Sequence, residues 1–317
     1  MARSRTLKDI PPLRFGEGRD CTLPACVAVA SGADYDWVMG VSGAAFATTI
    51  DGLSWDPLAA APLDDATLSR AARAAGMRPD VVGPPFDEEM RALVIDRVAE
   101  AVDAKVPPLV RGIAGPPEFG LIVGYDDTAP SFLARTYFDR TDKPTKIDWS
   151  AFADAEGGLV AFLDAVPASD RASLAREAVR TALAASESTR AALTTWLAGV
   201  RDDARWADTK HAGSGAFADH AMRTIHVDKR RAAARFLRGA RALFPNAPGA
   251  DLLRAAESYG YSADAAAKMG VGAFDASVAM RFLDIGHRRA WAKQLEAIIE
   301  HEREAQEALA MAEGSLR

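Results

Sequence analysis

A chain of 317 residues with 49% hydrophobic content can fill one large core or two ordinary ones without help from a metal or a disulfide. Its net charge of −6 is spread unevenly. Residues 1–165 carry 16 Lys and Arg against 25 Asp and Glu, and the remainder 22 against 19, which excludes a basic nucleic-acid surface in the first half.

The N-terminal "MARSRTLKDIPPLRFGEGRD" is polar, without the apolar stretch of a signal peptide, and no later run is long enough to span a bilayer. Two cysteines, Cys21 and Cys26, suggest no disulfide framework and fit a reducing compartment. The reading is a cytoplasmic protein with no membrane partner. In "RDCTLPACVAVASG", Thr22 can cap a helix and Pro24 suits its first turn, so Cys21 falls at or just outside a helix N-terminus. Free backbone N–H groups there stabilise a thiolate and can donate to an oxyanion. Cys26 lies a turn further in and reads as packing. "MGVSGAAF", Met39 to Phe46, is glycine-rich but has neither the Lys of a phosphate loop nor a preceding strand, so it reads as close backbone packing and implies no cofactor.

"PFDEEMRALVIDRVAEAVDAKVPP" has acids in its first turn and places Val94, Val98, Ala101 and Val102 on one helix face, ending before Pro107. Short apolar runs cut by Gly and Pro then read as strands: "PPLVRGIAG", "FGLIVGYDD", "SFLARTYFD" and "GGLVAFLDA". Alternation along the second puts Glu118, Gly120, Ile122 and Gly124 on one face and Phe119, Leu121, Val123 and Tyr125 on the other. Asp126 and Asp127 read as turn formers at its exit. Tyr125 and Trp149 read as core or cleft wall. The prediction for residues 1–165 is an α+β domain whose consecutive strands pair antiparallel.

Residues 166–317 read as an all-α helical domain with no low-complexity linker before it. "DKRRAAARFLRGARALF" places Ala233, Phe236, Leu237, Ala240, Leu243 and Phe244 on one stripe, and the last helix buries Trp291, Leu295, Ile298 and Leu309. Breaks fall at "FPNAPGA" and "KMGVGAFDA". The basic residues of "DKRRAAARFLRGAR" read as a solvated helix face. All five histidines, His211, His220, His226, His287 and His301, lie in this half, so no Cys–His pair can form within the first. The first three have no zinc-ligand spacing and read as surface or helix-capping residues; no metal is expected.

A cysteine opening the first helix, then helices, then "EFGLIVGYDD", then "TYFD", is the chain order of the papain-like cysteine-peptidase fold. Over roughly residues 15–165 the chain resembles its bacterial branch related to the N-terminal domain of butirosin biosynthesis protein H and to leader-cleaving cysteine peptidases. "DYDWVMGVSGAAF" strengthens the match to butirosin-H-like proteins, which carry a helical C-terminal extension. The resemblance implies Cys21 as nucleophile, Asp20 in the preceding position where Gln is common, and Asp139 of "TYFD" as the orienting acid. It implies amide or thioester acyl chemistry, as acyltransferase or amidohydrolase, on a small amine-bearing molecule or an acyl carrier.

The departure is at the histidine: the family's His stands six residues before the Gly of the Gly-Tyr step, and here that place, counted from Gly124, holds Glu118. Moving a proton from an ordinary thiol to an ordinary carboxylate is uphill by about 6 kcal/mol, so Glu118 makes a poor base for Cys21 unless burial lifts its pKa. Glu118 could instead anchor an amine beside Tyr125, or His211 or His226 could reach in to restore a dyad. Besides the cysteine-dependent enzyme, the sequence leaves open a catalytically silent papain-like module that binds a small molecule or a partner protein. A helical interaction protein with an inert first half is the third reading, and oligomeric state is left open.

Overall fold

From Pro107 to Ala165 glycine and proline cut the chain into short apolar runs, and those runs pair into one sheet. The computed structural model describes residues 4–52, 55–56, 64–126, 131–148, 158–272, 274–275 and 277–316. Trp149 and Asp127 lie outside the described residues. The strands are β1 (Ser4–Thr6), β2 (Met77–Val82), β3 (Leu109–Arg111), β4 (Phe119–Asp126), β5 (Ser131–Arg135), β6 (Thr145–Asp148) and β7 (Leu159–Ala165). They form a seven-stranded sheet in the order β2-β7-β3-β4-β5-β6, with every pairing antiparallel. β3 lies along the first half of one edge of β4, and β1 pairs with its last residues.

Helices α1 (Thr22–Ser31), α2 (Tyr35–Ser42) and α3 (Asp65–Ala74) lie between β1 and β2 in the chain, and α4 (Glu88–Asp103) lies between β2 and β3. The α4 helix begins where the sequence signals it: Asp87 caps it by accepting the Met90 N–H at 2.8 Å, and Glu88 and Glu89 face the positive end of its dipole. Its Val94, Val98, Ala99 and Val102 form a core with Val110, Ile122, Tyr125, Phe132, Val160 and Phe162 of the sheet.

That core corrects the simple alternation expected of β4. Ile122 and Tyr125 join the same cluster. The reason is a bulge: the register with β5 slips between Ile122 and Gly124, and one extra residue exchanges the faces beyond it. Gly124 is required there, because a Cβ would stand 2.6 Å from the Arg5 carbonyl oxygen.

The C-terminal region is helical: α5 (Arg171–Ala184), α6 (Ser186–Arg201), α7 (Thr209–Ala240), α8 (Ala247–Ala267), α9 (Ser277–Arg281) and α10 (Ile285–Ser315). Asp208 starts the long α7 by accepting the N–H groups of Lys210 and His211, both at 2.9 Å. Among the described residues no helix is long and apolar enough to cross a membrane. The chain divides into two compact units, residues 1–15, 22–38 and 68–168 in one and residues 16–21, 39–67 and 169–317 in the other. The sheet belongs to the first and α5–α10 to the second.

Two expectations for α7 are overturned. Lys229 and Arg230 of the "DKRR" run are buried, 1% and 0% exposed, while Arg231, Arg235 and Arg238 form the solvated face. His220 and His226 are buried as well; only His211, paired with Asp208, is an exposed residue at a helix start. The cause is a row of partners within the helical unit. Asp219 accepts the indole N–H groups of Trp196 and Trp291 and the guanidinium of Arg223. Arg230 donates to Glu302, to the Ala45 carbonyl at 2.7 Å and to the Thr48 hydroxyl at 2.9 Å. Asp219, Arg223 and Arg230 each have a counter-charge within hydrogen-bond distance, which is the condition under which charge enters a core.

Candidate functional site

In the sheet unit, Glu118 stands one residue before β4 and is half-buried. The hydroxyl of Thr22, the first residue of α1, donates to its Oε2, while the Phe119 N–H donates to that hydroxyl at 3.4 Å. Thr22 therefore ties the start of α1 to the start of β4. Cys26, one turn further along α1, is fully buried, and its thiol pKa is pushed well above the ordinary value by burial and then by the Glu118 charge. The thiol that feels Glu118 in this unit is thus one held neutral and enclosed, consistent with packing.

Asp139 is built into the turn between β5 and β6. Its Oδ1 accepts from the Thr136 and Thr145 hydroxyls, both at 2.9 Å, and Arg135 stands 3.8 Å from its Oδ2. The Tyr125 ring is in the core, and its hydroxyl lies 3.3 Å from both carboxylate oxygens of Asp103 at the end of α4.

Asp20 and Cys21 belong to the other unit, with α7. Both are buried, 2% and 1% exposed. Their backbone N–H groups donate to one acceptor, Oδ2 of Asp228 on α7, at 2.8 Å from Asp20 and 3.3 Å from Cys21. The Asp20 carboxylate receives the Gly16 N–H. Burial first, then the Asp228 charge, raises the Asp20 pKa to about 7, with backbone N–H groups of Gly16 and Gly18 opposing. Lys229, next to Asp228, donates to the Ala47 carbonyl at 2.8 Å. Burial lowers its pKa to about 8, while the Cys21 thiol is the first of the groups that favour its charged form.

His226 offers little as a base. Its Nε2 lies 2.9 Å from the Ser262 hydroxyl, which in turn donates to Glu302 at 2.8 Å. Burial, then Arg230 and Lys229, push its pKa well below the ordinary value.

Beside Asp20 the helical unit holds an open cavity of about 300 Å³. Buried Asp20, Thr224, Val227 and Asp228 form its inner part, and exposed Glu17, Arg231 and Arg235 its mouth. One wall is a glycine turn fixed by α7: His220 Nε2 lies 2.8 Å from the Gly272 carbonyl oxygen, and Arg223 reaches the Met269 and Gly270 carbonyls at 2.6 Å. Gly16 must be a glycine, since its φ is +83° and a Cβ would stand 2.8 Å from Gly272 Cα.

No family model matches the chain, and no curated protein matches it. Its functional reading therefore rests on these residues. Among the described residues no group of three or more His, Cys, Asp or Glu side chains is placed to hold a metal ion. Sequence reasoning missed Thr22 as the partner of Glu118, gave Asp228 no role at a site, and read Lys229 as part of a solvated face. A stripe of ionisable groups was readable on α7, Asp219, Arg223, His226 and Arg230 at spacings of four, three and four, but Asp228 and Lys229 lie off it, so it pointed to the buried network and not to them.

Proposed function

We propose that the chain is a papain-like, butirosin-H-like module that holds a small amine-bearing molecule without performing acyl transfer on it. One observation carries this reading: the Asp228 carboxylate accepts the backbone N–H groups of both Asp20 and Cys21. An acyl-transfer site needs such donors aimed at a developing oxyanion. Here a carboxylate already occupies them, and its charge would repel a second negative oxygen. The same carboxylates suit a cation. Burial of Cys21 adds support, since an electrophile has to reach a nucleophile's sulfur.

A second reading, acyl chemistry at Cys21, is favoured by Lys229 alone. A buried ammonium brought down to about 8, with the Cys21 thiol among its charge partners, could stand in for the missing histidine. Alkylation separates the two. Native protein treated with iodoacetamide between pH 6 and 9, with the Cys21 and Cys26 peptides followed by mass spectrometry, is expected to label both at least an order of magnitude more slowly than free cysteine. Rapid labelling of Cys21 that inflects near pH 8 and vanishes in Lys229→Met would replace the binding reading with the acyl-transfer one.

A further inference from the structure

We propose that the cavity beside Asp20 seats a compact zwitterion, with its ammonium group on the inner carboxylates and its anionic group between Arg231 and Arg235 at the mouth. The proposal rests on the amine-holding reading and adds the place, the orientation and the second charged group. Its basis is the sorting of charge by depth. Asp20 and Asp228 are 2% and 3% exposed and line the interior, whereas the mouth carries two exposed guanidinium groups, Arg231 and Arg235, four residues apart and so on one face of α7, against the single carboxylate of Glu17.

A simple anion entering this space meets two buried carboxylates, and a simple cation passes two guanidinium groups. A molecule with both charges satisfies each end. A primary ammonium has three N–H donors, and the interior offers Asp20, Asp228 and the Thr224 hydroxyl as acceptors. An arginine pair one turn apart suits a carboxylate or phosphate. The volume, about 300 Å³, lies at the small end of ligand pockets, which limits the occupant to a compact molecule.

Asp20 makes the binding pH-dependent. The charged groups that face it or share its cavity are Glu17 on its own loop and Asp228, Arg231 and Arg235 on α7, and the backbone N–H groups of Gly16 and Gly18 point at its carboxylate. Its pKa of about 7 leaves it partly protonated at neutrality. An arriving ammonium favours the ionised form, so binding expels a proton and tightens as pH rises from 6 to 8, by about tenfold.

The test is calorimetric titration of the full chain with 4-aminobutyrate, n-butylamine and butyrate. At pH 8, 4-aminobutyrate is expected to bind about tenfold or more tightly than either single-charge probe, as an added charge-assisted contact requires. Arg231→Gln with Arg235→Gln should bring it down to the level of n-butylamine, and Asp20→Asn should weaken it and remove the pH dependence between 6 and 8. If n-butylamine binds as tightly as 4-aminobutyrate and the arginine variant changes nothing, the zwitterion site is wrong while the amine reading stands. If none of the three probes binds, both fall together.

Discussion

Asp219→Ala is expected to destabilise the helical unit by about 3–5 kcal/mol, the cost of breaking a buried ion pair from one side. The Asp219 side chain is fully buried and serves three donors: the Trp196 and Trp291 indoles at 2.8 and 2.7 Å, and Arg223 Nε at 2.7 Å. Removing it strands two indole N–H groups and a guanidinium, and the Met269 and Gly270 carbonyls compensate Arg223 only in part. Asp219→Asn keeps an acceptor for the indoles but not the charge, so its loss should be smaller. Urea unfolding read by tryptophan fluorescence suits the test, because Trp196 and Trp291 flank the substituted position. A loss below 1 kcal/mol for the alanine variant would mean that the three donors find other partners.

The second large effect is a pH dependence. Asp20 has a folded-state pKa of about 7 against an ordinary 3.8, so the folded chain binds the proton more tightly than the unfolded one. The stability associated with that proton is fully present below pH 3.8 and is lost as pH rises toward 7. Three units correspond to at most about 4 kcal/mol. Lys229 works in the opposite sense in another window: its pKa is depressed from 10.5 to about 8, so its contribution is present above pH 10.5 and lost as pH falls through 8. Asp20→Asn keeps an acceptor for the Gly16 N–H but cannot ionise. Its stability relative to the parent chain should therefore rise steadily from pH 4 to pH 7 and then level off, measured as unfolding free energy at half-unit steps. A difference that stays flat across that interval would show that Asp20 titrates normally.

Much of the fold was legible because its signals are local. The Asp87 cap and the acids behind it mark α4, and Gly and Pro bound β3, β4, β5 and β7. The strands that escaped notice have no such signals. β2, "MRPDVV", contains a proline and charged residues and has no fully buried position, as an edge strand allows. β6 is only four residues long. The slip in β4 could not be read either, since a bulge depends on the partner strand and leaves no mark in an apolar run. The candidate site was least legible where burial contradicts residue type. Lys229, Arg230 and Asp228 look like solvent-facing residues because charges nearly always are; distant Ala45, Ala47, Thr48 and Glu302 receive the two cations, and the Asp20 and Cys21 N–H groups reach Asp228. Glu118 was singled out correctly as a carboxylate at a strand entrance, but its partner is the Thr22 hydroxyl, which sequence reasoning had treated only as a cap.

The interleaving of the two units along the chain bears on how this protein can be inherited and dissected. A gene fragment beginning at residue 169 would encode every long helix of the second unit, yet it would omit the carbonyls and hydroxyl that receive Lys229 and Arg230, and the Phe46 and Trp55 rings that lie against Tyr259 and Trp206. It would keep Glu302 beside Arg230 but strip both cations of the carbonyls and hydroxyl that complete their burial. A single recombination crossover cannot exchange one unit and spare the other, so the two must be passed on, and expressed, as one indivisible reading frame.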